Sequence, residues 1–212
     1  SNEKIIVDKI PGAIFHDGGR IKFGPDGYLY ITTGDALNSS LSQDKNSLAG
    51  KILRVTDEDN VDVYSYGHRN PQGITWDNNG RLWETEHGSS ATDELNLIEA
   101  GGNYGWPFIR GDQRQEGMQS PILQSGSDTW APAGTAFFNG SIYFGGLRGQ
   151  ALFEVKLETL ELKEHFKGQF GRIRDVVLGP DNILYITTSN IDGRGSHTTD
   201  DDKVIRINPD KL

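Results

Sequence analysis

GPDGYLYITTG (Gly24–Gly34) returns near the other end of the chain as GPDNILYITTSN (Gly179–Asn190). Between them lie WDNNGRLWETEHG (Trp76–Gly88) and FFNGSIYFGGL (Phe137–Leu147). Each copy joins an Asp/Asn/Gly turn to a short strand rich in Leu, Ile and Tyr, the composition of a tight hairpin. The markers Leu29, Leu82, Ile142 and Leu184 stand 53, 60 and 42 residues apart. Further β patterns fill the intervals: Lys51–Val55, Val61–Tyr66, Ala151–Val155 and Val204–Ile207. No segment carries a convincing helical period; residues 93–100 come nearest and are short. An ordinary β-sandwich also spaces strands evenly. Four recurrences of one turn-strand unit at an interval of several strands favour an all-β β-propeller with four visible blades.

The totals agree. A chain of 212 residues can bury a substantial core, and 27 glycines beside Asp and Asn supply turns, not linkers. Mean hydropathy is −0.55. No apolar run reaches membrane-spanning length. A formal charge of −9 argues against nucleic acid as a partner, which asks for a basic face. With no cysteine, disulfides and thiolate metal sites are excluded.

In a propeller, small ligands gather at one end of the central channel, so polar clusters beside the repeated strands are the candidates. His16, with Gly18 and Gly19, reads either as a loop residue or as a base able to take a proton from an alcohol if another group accepts the hydride. The run Tyr66-Gly67-His68-Arg69-Asn70-Pro71-Gln72 puts a guanidinium and two amides into one turn. It suits carboxylates, carbonyls and ring nitrogens, or is a polar turn ended by Pro71. The stretch from Thr85 to Trp106, with Glu86, Gly88, Ser89, Asp93, Glu94 and Tyr104, is rich in the oxygen donors calcium takes, without EF-hand spacing. Arg172 and Arg174 alternate on a strand and so share a face, which suits an anion or an exposed strand with an Arg174–Asp175 pair. Asp200–Asp202 reads as a solvated loop.

The order of these clusters carries a resemblance. HDGGRIKFGPDGYLYITTGD, SLAGKILRV, YSYGHRNPQG, EHG…DELNLI…GGNYGWP, APAG and RIRDVVLGPD are similar, over about residues 12–209, to the quinoprotein glucose/sorbosone dehydrogenase family. That family includes soluble aldose sugar dehydrogenases using pyrroloquinoline quinone (PQQ). The resemblance implies a six-bladed propeller with PQQ and calcium at the top of the channel, oxidising aldoses at the anomeric carbon to lactones, with an external electron acceptor and a periplasmic or extracellular location. It implies His16 as general base and Arg69 near the reactive carbonyl. Asn70, Gln72, Arg148, Arg172 and Arg174 would contact PQQ, with Arg148 standing where some members have lysine. Gly88 and Ser89 carbonyls would hold the calcium bridged to PQQ, and Glu94 and Tyr104 a second calcium.

The sequence also departs from the pattern. Phe15 replaces an acid found beside the histidine in some members, so nothing adjacent orients His16. Ser89 replaces a common proline, and residues 56–61 are short. The family carries over a hundred further residues ahead of the His16 motif. Residues 1–212 are therefore expected to form one partial propeller lacking about two N-terminal blades, completed by a partner segment or self-association. The competing reading is a non-catalytic propeller that keeps the scaffold as a binding module. A calcium-dependent lactonase would need a ring of inner-strand carboxylates, which the sequence does not show.

Overall fold

A computed structural model describes residues 2–56 and 60–212; residues 57–59, within the segment that reads as short, lie outside the described residues. Four antiparallel sheets follow one another in chain order. The first blade is β1 (Ile21–Phe23), β2 (Leu29–Thr33), β3 (Lys51–Val55) and β4 (Val61–Tyr66). The second is β5 (Pro71–Trp76), β6 (Leu82–Glu86), β7 (Glu94–Ile98) and β8 (Leu123–Gln124). The third is β9 (Pro132–Phe138), β10 (Ser141–Gly146), β11 (Leu152–Lys156) and β12 (Leu162–His165). The fourth has three strands among the described residues: β13 (Ile173–Leu178), β14 (Leu184–Thr188) and β15 (Val204–Ile207). Every repeated turn-strand motif supplies its blade's second strand, so the sheet meanders outward from β1, β5, β9 and β13. The fold is a β-propeller, as the repeats predict. Residues 94–98, the nearest approach to a helical pattern, are strand, because Leu95 and Asn96 are buried against β6 while strand pairing spans Glu94 to Ile98.

Alternating residues face the two neighbouring blades, and the core divides accordingly. Tyr30 and Ile52 pack on Ile74, Leu82 and Ile98 between blades one and two. Trp83 and Leu95 meet Trp130, Phe144 and Phe153 between two and three. Ala136, Tyr143 and Leu152 meet Ile173, Leu184 and Ile186 between three and four. Four blades thus share three largely apolar interfaces, and each large buried side chain contributes about 1.5–3 kcal/mol of transfer free energy. The two outer faces of the arc are not covered: Ile21 and Phe23 are 63% and 69% exposed at one end, Val177 and Val204 52% and 74% at the other.

Charge ties the first blade to the fourth across the arc. Arg20, just ahead of β1, donates to Asp175 of β13 (2.8 Å) and to the Gln72 carbonyl (3.1 Å). Gly134 of β9 makes room for this pair, since a Cβ there would lie 1.6 Å from Asp175 Oδ1. Lys51, wholly buried, donates to the carbonyls of Leu41, Ser42 and Ala49. That ammonium gathers the long β2–β3 connection, which begins with Gly34 and Asp35.

Candidate active site

At the top of the channel a cleft is lined by His16, Asn70, Gln72, His87, Arg174 and Arg194, with Phe15 and Leu147 at its sides. The residue just past the second strand of a blade lines this cleft in the second and third blades, as His87 and Leu147.

His16 sits in the left-handed region (φ 64°), and its carbonyl passes over Gly34, where a Cβ would lie 1.8 Å away. Its Nδ1–H donates to Asp35 Oδ1 at 2.8 Å, so the proton on Nδ1 leaves Nε2 as the ring's acceptor. Asp35 is 2% exposed. Its Oδ1 also accepts from Leu37 N (2.9 Å) and its Oδ2 from Trp106 Nε1 (2.8 Å). The expectation that nothing orients His16 holds only for its chain neighbours. The orienting carboxylate comes from the end of β2, and aligning the four repeats on Leu29, Leu82, Ile142 and Leu184 would have pointed to that position.

Asn70 is buried, its Oδ1 accepts from Gly18 N (3.2 Å), and its backbone N–H donates to Glu86 Oε2. Gln72 Oε1 accepts from Arg174 Nη1 at 3.4 Å. Arg69 Nη1 donates to the carbonyls of Gly88 (2.6 Å) and His87 (3.2 Å), while its Nε is buried without a partner. Its guanidinium also lies over Trp106, 5.3 Å from the ring centre. Burial lowers the pKa of Arg69 despite the nearby carboxylates of Asp35 and Glu86. Burial, then Arg172, lowers that of Arg174, with Asp192 opposing. Arg174, with Arg194, makes the cleft fit for an anion, whereas Arg69 lines a smaller adjoining cavity with Gly88, Ser89, Glu94 and Tyr104.

Two expected cofactor contacts fall elsewhere. Arg172 is turned inward, its guanidinium held by Asp192 (2.8 Å), the Ser189 carbonyl and the Leu147 carbonyl. It meets Arg174 at Asp192 and supports that side chain from behind. Arg148 is exposed and lines a separate groove with Glu164 and Lys167. Leu147 is drawn inward by its N–H to the Ala131 carbonyl, which sends the next side chain outward. His87 and Arg194 join the cleft without a role assigned to them from the sequence. His87 Nε2–H donates to the Pro132 carbonyl (2.8 Å), and burial brings its pKa down to about 4, so it is neutral near pH 7.

The calcium candidates form two groups. The Gly88 carbonyl already faces a positive charge, that of Arg69, with Ser89 half-buried beside it. Below, Glu84, Glu86, Glu94 and Asn96 share one face of β6 and β7, with Glu86 opposite Glu94 and Glu84 opposite Asn96. Asn96 Nδ2 donates to Glu84 at 3.0 Å, and Glu84 Oε1 and Asn96 Oδ1 are buried without partners. His68, Glu84 and Glu86 bring ligand atoms within 4.8 Å of one another. Burial and then Glu86 push Glu94 up to about 8. Unpartnered oxygens among buried carboxylates fit a hard cation. Tyr104 can join only through its backbone carbonyl, because its hydroxyl donates to Leu97 O and accepts from Glu99 N.

The four repeated antiparallel sheets with a histidine and guanidinium groups gathered in one top cleft define a β-propeller of the sugar-dehydrogenase class. The glucose/sorbosone dehydrogenase pattern matches residues 1–197, and the chain belongs to that family. It is similar to the PQQ-bound aldose sugar dehydrogenase of Streptomyces coelicolor, with a TM-score of 0.88 and 41% identity, covering 93% of this chain and 63% of that one. An oxidoreductase (glucose dehydrogenase) of Thermus thermophilus matches with a TM-score of 0.90 and 43% identity, over 97% of this chain and 69% of that one. The aldose sugar dehydrogenase YliI of Escherichia coli K12 is 30% identical over 84% of this chain and 58% of its own length. The chain spans between half and two thirds of the length of such curated relatives. Among the described residues no helix is long and apolar enough to cross a membrane.

Proposed function

We propose that this chain carries the base and the cofactor cleft of a PQQ- and calcium-dependent aldose dehydrogenase that converts the anomeric alcohol to a lactone. The observation that carries the reading is the His16–Asp35 pair at a cleft lined by Arg174 and Arg194. When bound, PQQ with its calcium supplies a hydride-accepting carbonyl polarised by a Lewis acid. The chain's own residues do the rest. His16 Nε2 takes the anomeric hydroxyl proton, while Asp35 holds the ring and stabilises the imidazolium that forms. Arg174 and Arg194 face the cleft for the cofactor's carboxylates, with Arg172 bracing Arg174 through Asp192. Asn70 and Gln72 present amides. Arg69, whose guanidinium rests on the Gly88 and His87 carbonyls beside the cleft, offers positive charge near the reacting carbonyl. Gly88 and Ser89 carbonyls would hold one calcium. Glu94 and the Tyr104 carbonyl would hold another, beside Glu84, Glu86 and Asn96. Arg148 has no place in this cleft.

The electron acceptor is external, and the compartment we infer is periplasmic or extracellular. The uncovered faces at Ile21 and Phe23 and at Val177 and Val204 support a partial ring, completed by about two further blades or by association.

The test is a titration of the protein with PQQ and calcium, following cofactor absorbance on adding an aldose. Binding with sugar-dependent reduction, lost on the order of 100-fold or more in His16→Ala with binding retained, is the expected result. Binding without reduction would instead mark a non-catalytic cofactor holder, and absence of binding would remove the reading.

A further inference from the structure

We propose that Trp106 is a positioning residue for the base: its indole N–H keeps the Asp35 carboxylate on His16 and away from Arg69. The inference rests on the reading of His16 as the base and extends it to a side chain that does not line the cleft.

The indole Nε1–H is donor only, and it spends its single bond on Asp35 Oδ2 at 2.8 Å. Asp35 Oδ1 faces His16 Nδ1 at 2.8 Å. The same indole ring carries Arg69 at 5.3 Å and Arg110 at 5.0 Å from its centre. Trp106 therefore touches both the carboxylate that orients the base and a guanidinium whose charge acts on that carboxylate. Asp35 and Arg69 attract one another. Without the indole donor, a carboxylate held at Oδ1 alone is free to turn towards that charge. His16 would then lose its Nδ1 acceptor, and the Nε2–H tautomer, which cannot take a proton at Nε2, would gain population.

The indole is itself fixed from both sides of its backbone. The backbone N–H of Trp106 donates to the Gly67 carbonyl at 2.9 Å, and the backbone carbonyl of Trp106 accepts from Gln43 Nε2 at 2.7 Å. Gln43 in turn exchanges hydrogen bonds with Asn103. The GGNYGWP loop of the second blade is in this way tied to the first blade at the point where the base is held. A Phe at position 106 would keep most of the packing and lose the donor. An isostere with sulfur in place of the indole nitrogen, 3-benzothienylalanine, would keep the ring over Arg69 and delete the donor alone.

The experiment compares the wild-type chain, Trp106→Phe, the sulfur isostere at 106, Asp35→Asn and the double variants. The first readout needs no cofactor: the 15N shifts of the His16 imidazole report its tautomer. The Nδ1–H form is expected to dominate in the wild type and to lose ground to Nε2–H in both position-106 variants. The second readout is sugar-dependent reduction of PQQ. A roughly tenfold loss in kcat with KM little changed is expected for the isostere, and no further loss when it is combined with Asp35→Asn, as for two residues acting through one path. An unchanged tautomer in the isostere, or losses that multiply with those of Asp35→Asn, would overturn the proposal. If the wild type reduces no PQQ, the catalytic reading fails by itself and the tautomer alone decides the role of Trp106.

Discussion

The pentapeptide LYITT occurs twice, as β2 in the first blade and β14 in the fourth, and the two copies bury opposite faces. In β2 the buried residues are Tyr30, Thr32 and Thr33, while Leu29 and Ile31 are only half-buried. In β14 they are Leu184, Ile186 and Thr188, while Tyr185 and Thr187 are half-buried. The local structure is shared: each Tyr hydroxyl donates to the turn Asp four residues back, Asp26 or Asp181. What differs is the neighbour. The first blade packs by one face on the second, with Tyr30 edge-on to Trp76 at 5.1 Å. The fourth packs by its other face on the third. A strand with apolar residues on both faces suits a blade flanked on both sides, and at the two ends of this arc only one face has found its partner.

The largest test of that comparison swaps nothing but position. Ile186→Ala empties a fully buried site and should lower unfolding free energy by about 3 kcal/mol, whereas the sequence-equivalent Ile31→Ala should cost about 1 kcal/mol. Urea unfolding of the two variants measures both. Equal costs would mean that the outer face of the first blade is covered in solution, by a second copy or by further chain.

The next test concerns the residue immediately after the pentapeptide. Gly34 and Ser189 hold the same place, and Gly34 lies under the His16 carbonyl, while Ser189 hydrogen-bonds Arg172 and Asp192. Gly34→Ala should destabilise by about 2–3 kcal/mol and displace His16, while Ser189→Gly should cost about 1 kcal/mol or less. Thermal unfolding gives the first quantity, and the His16 imidazole NMR signals report the displacement. Tolerance of alanine at position 34 would show that the His16 segment is not seated on β2.

One residue further on, Asp35 and Asn190 again share a position and differ in task. Asp35 holds His16, while Asn190 Oδ1 accepts from Arg172 N (2.8 Å) and its amide donates to the Phe170 carbonyl (2.9 Å). Asn190→Ala strands two backbone groups and should cost about 2 kcal/mol of stability. Asp35→Asn should cost about 1 kcal/mol of stability but at least about tenfold in sugar-dependent PQQ reduction. Equilibrium unfolding and steady-state rates separate the two tasks.

These positions also show what is legible in a sequence and what is not. Repetition of the turn-strand unit announces the blades, because hairpin turns and β-branched strands are local chemistry. His16 and Arg174 stand out in the sequence because each lies close to the start of an inner strand, and both line the top cleft. Asp35 escapes notice when an orienting acid is sought next to His16 in sequence, because the fold supplies it across a hairpin. Arg148 lies outside the cleft, in a separate groove, a placement that depends on the Leu147 backbone bond to Ala131, which no spacing reveals. Asp201 and Asp202 read as a solvated loop, yet Asp202 Oδ1 accepts from Asn190 N at 2.6 Å and Thr188 Oγ1 at 3.0 Å. That pairing exists only once β14 and β15 lie side by side.

The smallest effect lies in the second blade, which has neighbours on both sides. His87 takes the position that Gly34 and Ser189 take at the ends of the arc, and enclosure is what separates it from an exposed imidazole. Burial holds its pKa at about 4 against an ordinary value of 6.5. The folded state therefore keeps His87 neutral where the unfolded chain is protonated, and stability rises with pH between about 4 and 6.5. Its contribution is complete above 6.5 and declines as the pH falls below that value. Lowering the pH from about 7.5 to about 5.5 should remove about 1 kcal/mol through this residue. In His87→Gln, which can still donate to the Pro132 carbonyl, that part of the pH dependence should vanish. Urea unfolding of both proteins at the two pH values decides the point. An unchanged slope in the variant would mean that solvent reaches His87 in the ligand-free cleft, and that the second blade's top is as open as those of the first and fourth.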